Sequence, residues 1–342
     1  MMNKLTLKTG KEKHPLMLTK GLNMLSSISR KLFIVFCFYT VLSYSSTGSA
    51  GNNPEPNKEK TVQFFVIADI GRNGYYKQKE VAKQMGILSE SMEPDFIISS
   101  GDCFHLNGIK SIQDPMWISN YENIYTHPYL HCDWYPVLGN HEYHGNTQAV
   151  IDYSNVSRRW HMPSRYYTMV KKVNDSTSLR MVFIDTPAFV EKYRKDTLDY
   201  PDLHKQDLKK QITWIDSVLA SSKETWKIVV GHHPVISIDK KHGDTPELIE
   251  KLNPLLKKYK VDLYFSGHIH NFQHLRVSGS DLDYVITSSG SLARPAFSND
   301  STRFSSPDEG FTVCSVTHHR FEIRFVNYKG KTIYQYGKEQ KE

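Results

Sequence analysis

Six apolar runs in this chain end in the same way, and that repetition narrows the folds open to it. Phe64-Phe65-Val66-Ile67-Ala68 runs into Asp69, Asp95-Phe96-Ile97-Ile98-Ser99-Ser100 into Gly101-Asp102, and Trp134-Tyr135-Pro136-Val137-Leu138 into Gly139-Asn140-His141-Glu142. Further on, Arg180-Met181-Val182-Phe183-Ile184 runs into Asp185-Thr186, Trp226-Lys227-Ile228-Val229-Val230 into Gly231-His232-His233-Pro234, and residues 261–266 into Gly267-His268-Ile269-His270. A continuous apolar run of this length reads as a strand covered on both faces. Helical periodicity over residues 77–89, 205–221 and 245–259 separates several of these runs. The pattern predicts a layered α/β protein whose chemistry sits at the carboxyl ends of its strands. Residues 284–288, 311–317 and 320–328 alternate more and have no helix between them, so they read as antiparallel.

Glycine precedes the polar residue in Gly101-Asp102, Gly139-Asn140, Gly231-His232 and Gly267-His268, which lets the backbone turn tightly as each strand leaves the sheet. Asp69, Asp102, Asn140, His232, His268 and His270 are then expected to converge. Carboxylate, amide and imidazole together suit borderline divalent or trivalent metals, and the set holds more donors than one ion of about four to six ligands needs. Two ions sharing one carboxylate follow. A metal pair is a template for in-line displacement at phosphorus, because it activates water, bridges phosphoryl oxygens and neutralises developing charge. Hydrolysis of a phosphate ester is the expected reaction.

The beginning of the chain reads differently. Lys4, Lys8, Lys11, Lys13, Lys20, Arg30 and Lys31 precede an apolar run at 32–42, followed by small residues up to Ala50. That order is a secretory leader over 1–50, cleaved after Ala50, and its apolar run is shorter than the ~20 residues of a bilayer span. The leader carries seven basic residues against Glu12, so the net charge of +7 falls to about +1 without it. Nothing then calls for nucleic acid, which needs a clustered basic face. A proline-bearing linker at 51–60, a domain at 61–330 and a tail at 331–342 complete the expected organisation. Cys103, Cys132 and Cys314 remain after the leader and allow at most one disulfide.

The strand-end blocks Asp69, Gly101-Asp102, Gly139-Asn140-His141-Glu142, Gly231-His232 and Gly267-His268-Ile269-His270 resemble the five-block signature of the calcineurin-like metallophosphoesterases. Asp69-Ile70-Gly71, Val229 to Val235, Lys241-His242-Gly243-Asp244-Thr245 and His268-Ile269-His270-Asn271 resemble more closely the tartrate-resistant branch of the purple acid phosphatases. The resemblance implies a four-layer α/β (α+β-like) sandwich, two mixed β-sheets flanked by helices. It also implies an acid phosphatase-like hydrolase of phosphate monoesters that uses a metal-bound hydroxide, iron being paired with a second iron, zinc or manganese. One metal would take Asp69, Asp102 and His270, the other Asn140, His232 and His268, with Asp102 bridging. His105 stands where the purple enzymes have tyrosine, either as a neutral ligand or behind the ligands; without the phenolate, a non-purple protein is expected.

His141 is the candidate general acid, with Glu142 as the carboxylate that orients it, and Asp102 completes the catalytic set. Asn140, His141, His233, His242 and Arg72 are the candidate substrate-binding residues. The expected partners are small phosphorylated substrates or phosphoproteins, met by a monomer that is secreted or periplasmic. A phosphodiesterase on the same cage, and a phosphate-ester binding protein with degraded catalysis, are the alternatives.

Overall fold

The computed structural model describes residues 60–240 and 243–340. The leader and most of the linker lie outside the described residues, as does His242. In chain order the elements are β1 (Val62–Ile67), α1 (Gln78–Met92), β2 (Phe96–Ser99), β3 (Asp133–Pro136), α2 (Thr147–Asp152), β4 (Tyr167–Lys172), β5 (Ser178–Phe183) and α3 (Glu191–Lys195). They continue with α4 (Leu208–Ser221), β6 (Trp226–Val230), α5 (Pro246–Lys251), α6 (Asn253–Lys258), β7 (Leu263–Ser266), β8 (Phe272–Leu275), β9 (Asp283–Thr287), β10 (Thr302–Ser306), β11 (Gly310–Val316), β12 (Arg320–Asn327) and β13 (Thr332–Glu339).

The strands form two mixed sheets, ordered β13-β12-β11-β1-β2-β3 and β10-β8-β9-β7-β6-β5-β4. β1, β2 and β3 run parallel in the first, and β5, β6, β7 and β9 in the second. These central strands are buried on both sides, which is why they read as unbroken apolar runs. The sheets face one another across a shared core in which Phe272 stacks on Phe325 at 4.6 Å and Trp226 meets Phe321 edge-on at 5.7 Å. A second core lies behind the seven-stranded sheet, where Ile215 and Leu219 of α4 and Leu248 and Leu256 of α5 and α6 cover Val182, Val229 and Tyr264. α1 packs through Val81, Ala82 and Met85 into the core of the other sheet. The architecture is therefore helix, sheet, sheet, helix.

Three expectations change. The helix expected over 245–259 is two short ones, broken at Leu252 because Pro254 enters at the start of α6 and supplies no N–H. Residues 284–288 were expected in an antiparallel arrangement, yet β9 pairs parallel with β7 and only β8 opposes it. Residues 332–339, expected as a tail, form the edge strand β13, antiparallel to β12. Its polar outer face hides the strand in the sequence, while Tyr334 stacks on Phe304 at 4.6 Å on the inner side.

Candidate metal centre

Loops leaving the carboxyl ends of parallel strands carry every candidate ligand: Asp69 after β1, Asp102 and His105 after β2, Asn140 after β3, His232 after β6, His268 and His270 after β7. The backbone bends sharply there. Asp69, Asp102, His268 and His270 have φ of 53°, 54°, 67° and 62°, the left-handed region that costs a non-glycine residue about 1 kcal/mol or more. The turning strain thus falls on the ligand-type residues themselves. Of the four glycines expected to make these turns, only Gly101 has a positive φ, of 87°. Gly139 and Gly267 instead make room, since a Cβ there would run into Asp102 Oδ1 and Asp69 Oδ2.

These loops bring the side chains to one buried point. His270 Nε2 lies 3.1 Å from Asp69 Oδ1, His232 Nε2 3.2 Å from Asp102 Oδ2, and His105 Nε2 3.7 Å from Asp102 Oδ2. His268 Nδ1 stands 3.2 Å from His232 Nε2. Ligand-type atoms of Asp69, His105 and His270 lie within 4.8 Å of one another, and so do those of Asp69, Asp102 and His232. Far-side hydrogen bonds fix the tautomers. His232 Nδ1 donates to Ser100 O at 2.8 Å and His270 Nδ1 to Leu292 O at 2.7 Å, so each ring turns its Nε2 inward. Asp69 Oδ1, Asn140 Oδ1 and both nitrogens of His105 are buried with no hydrogen-bond partner. Buried polar atoms are rarely left so. An oxygen and nitrogen donor set with open lone pairs fits a pair of borderline metal ions.

Electrostatics agree with the geometry. Burial alone would raise the Asp69 and Asp102 carboxyls, but His270 beside the first and His232 beside the second hold both below the usual range. Burial pulls His232 down, yet the Asp102 carboxylate outweighs it and holds the imidazole up at about 9. His105 has no such close partner, and burial pushes it down to about 3, leaving a neutral ring.

Not every residue singled out in the sequence sits where expected. Asp102, Asn140, His141, His268 and His270 line one cavity of about 290 Å³, together with Lys192, Tyr193 and Arg294. His141 donates its main-chain N–H to Asp102 Oδ1 at 3.0 Å and Nδ1–H to Leu106 O at 3.1 Å. Glu142 does not orient it. This buried carboxylate instead accepts the N–H groups of Asp102, Phe104 and Gly139, at 3.0, 3.1 and 2.6 Å, and so clamps two loops together. Burial first and the nearby Asp102 second push it up to about 7 despite those bonds. His233 borders a neighbouring cavity of about 240 Å³ with Lys192 and His268. Arg72 lies under Tyr76, 5.9 Å from its ring centroid, and does not line the main cavity. Cys103, Cys132 and Cys314 are free.

Thr186 is the support that sequence reasoning missed. Its Oγ1 accepts the N–H groups of His232 and His233, at 3.0 and 2.9 Å, so its own hydrogen goes to His233 Nδ1 at 3.1 Å. Its place after Asp185 at a strand end was the available signal.

Comparison with known proteins gives the same direction. The family model for calcineurin-like phosphoesterase matches residues 62–272. The chain is 36% identical to purple acid phosphatase 17 of Arabidopsis thaliana, with 93% of this chain and 97% of that one aligned. It is 30% identical to tartrate-resistant acid phosphatase type 5 of Oryctolagus cuniculus, over 80% of this chain and 90% of that one. Among solved structures, GAP50, the anchor in the inner membrane complex of Plasmodium, superposes with a TM-score of 0.72 at 26% identity, covering 83% of this chain and 90% of its own.

Proposed function

Because the chain belongs to the calcineurin-like phosphoesterase family, on its purple acid phosphatase branch, we propose that it is a two-metal phosphohydrolase of phosphate monoesters. The observation that carries this reading is the meeting of Asp69, Asp102, His105 and His270 with His232 and His268, beside an Asn140 oxygen that is buried and unpartnered. Asp69, Asp102, His105 and His270 hold one ion in this reading, and Asn140, His232 and His268 the other, with Asp102 shared. Bound there, the ions supply a water nucleophile of lowered pKa and neutralise phosphoryl charge. The chain's own residues set the geometry of departure. His141, pinned through Nδ1–H to Leu106 O, lines the cavity and in its protonated form offers Nε2–H to the leaving oxygen. Its N–H bond to Asp102 keeps that ring in register with the shared carboxylate.

Iron with a second divalent ion is the expected content, without the ferric–phenolate colour, since His105 stands at the tyrosine position. Residues 1–50 act as a secretory leader, and the mature monomer works outside the cytoplasm on small phosphorylated substrates. No described helix is long and apolar enough to cross a membrane. Turnover of p-nitrophenyl phosphate against its bis ester, by protein purified without chelator and assayed for metal, tests the reading. Preference for the monoester at about two metals per chain is expected; preference for the diester makes the enzyme a phosphodiesterase. A binding role without turnover is the second reading, favoured by His105 and by the likeness to GAP50, an anchor protein. Two bound metals with no turnover of either ester would establish it.

A further inference from the structure

Two cations, Lys192 and Arg294, line the cavity without an ion pair of their own to a carboxylate among the described residues. Each is presented by an ordered piece of chain. Lys192 lies 4.8 Å over the ring of Tyr193, which is buried against Tyr200 at 4.6 Å and His233 at 5.5 Å. Next to it, Arg194 Nη1 donates to the carbonyls of Ala188, Leu203 and Gln206, at 3.3, 3.4 and 3.0 Å, and ties down the segment that carries Lys192. Arg294 donates its N–H to His270 O at 2.7 Å and Nη1–H to His268 O at 3.2 Å, which leaves other guanidinium N–H groups for a ligand.

The charges in the cavity leave these two residues over. Two divalent ions held by Asp69 and Asp102 carry a surplus of about two positive charges; a bound hydroxide and one phosphate dianion outweigh it by about one, so Lys192 and Arg294 together leave a net positive charge unless the substrate brings a second anion. Guanidinium and ammonium groups both recognise carboxylate and phosphate, the guanidinium with a planar fork. A volume of about 290 Å³ lies at the small end of ligand pockets, which suits a compact metabolite better than a loop of a phosphoprotein.

We infer that Lys192 and Arg294 form a second anion subsite, so that the preferred substrates are small phosphate monoesters whose leaving group carries a carboxylate or phosphate of its own. The inference rests on the phosphomonoesterase reading above and adds the substrate class to it. Its test is kcat/KM of the metal-loaded protein for 3-phosphoglycerate against glycerol 3-phosphate, which lacks the carboxylate, and for fructose 1,6-bisphosphate against fructose 6-phosphate. A preference of about tenfold for the partner that carries the second anionic group, in at least one pair, is expected, weakening as salt is raised. In the K192A/R294A variant, with its metal content checked, the ratio falls towards one through a rise in KM for the doubly anionic substrate; K192R/R294K keeps most of it. Equal kcat/KM within both pairs, or an unchanged ratio in K192A/R294A, overturns the subsite and leaves the phosphatase reading standing. Absence of turnover on all four substrates and on p-nitrophenyl phosphate, at two metals per chain, overturns both.

Discussion

Both ring nitrogens of His105 are buried without a hydrogen-bond partner, and Nε2 stands 3.7 Å from the carboxylate shared by the two candidate ligand groups. Leaving a buried imidazole unpaired costs about 1–3 kcal/mol, so the position is supported by something the protein chain alone does not supply. A metal ion is the partner that fits, and imidazole gives it a neutral, softer donor than a phenolate would. The native protein loaded with iron should therefore be nearly colourless in the visible, while His105→Tyr should gain a visible absorption band at an unchanged iron-to-protein ratio. Visible spectra of the two proteins with parallel metal analysis check this; a coloured native protein, or a His105→Tyr that binds two metals and stays colourless, would remove residue 105 from the metal. Glu142 shows the opposite use of a buried polar group. It accepts three main-chain N–H groups from two loops, and its role is invisible in a sequence where it simply follows a histidine.

At the level of elements, one carboxylate is among the contacts that tie β13 to the opposite sheet, beside the stacking of Tyr334 on Phe304. Asp283 on β9 is fully buried and accepts from His274 Nε2 at 2.9 Å, Arg276 Nε at 2.6 Å and Lys338 Nζ at 3.2 Å, the last from β13. Lys338 also donates to Asp262 O at 3.1 Å. Burial alone would raise the Asp283 carboxyl, but the hydrogen bonds from His274 and Arg276 hold it well below the usual range. A carboxyl depressed in the folded state stabilises the fold fully above its unfolded pKa of about 4, and that contribution fades as pH falls through the folded value. Asp283→Asn should accordingly lose about 3–5 kcal/mol at pH 7, because two buried donors and the half-buried Arg276 lose their charge partner, and less at pH 3. Urea unfolding of both proteins at pH 7, 5 and 3 measures it, and a difference that does not shrink towards pH 3 would rule out this linkage. The central parallel strands were legible because burial on both faces writes an unbroken apolar run. β8 and β13 were not, since Gln273, His274 and Lys338 look like loop residues until their partners are known. The ligand-type residues were legible because they close those same runs. Tyr193 was not, because only the packing of distant loops brings its ring to the cavity.

Across the whole molecule, the two sheets contribute unequal chemistry to one site. Asp69, Asp102 and Asn140 follow strands of the six-stranded sheet, whereas His232, His268 and His270 follow strands of the seven-stranded one. Carboxylate and amide oxygens, with the His105 imidazole after β2, thus come from one side and the other three imidazoles from the other, and each candidate ion draws ligands from both. Without metal the halves still attract one another, through His270 with Asp69 at 3.1 Å and His232 with Asp102 at 3.2 Å, so the apo protein should remain folded and unfold cooperatively. Binding that is specific to the folded state adds stability by mass action, about 2.7 kcal/mol at a free metal concentration a hundred times Kd. For a domain of this size, removing it should lower Tm by about 5–10 °C. Calorimetry of the protein as purified, after dialysis against chelator, and after metal is restored checks the expectation. A Tm that falls and recovers means that the ions span the sheet interface. A Tm indifferent to chelation, in protein shown to have lost its metal, would mean that the histidine–carboxylate pairs alone close the interface, and that the buried unpartnered atoms of Asn140 and His105 are satisfied by water instead.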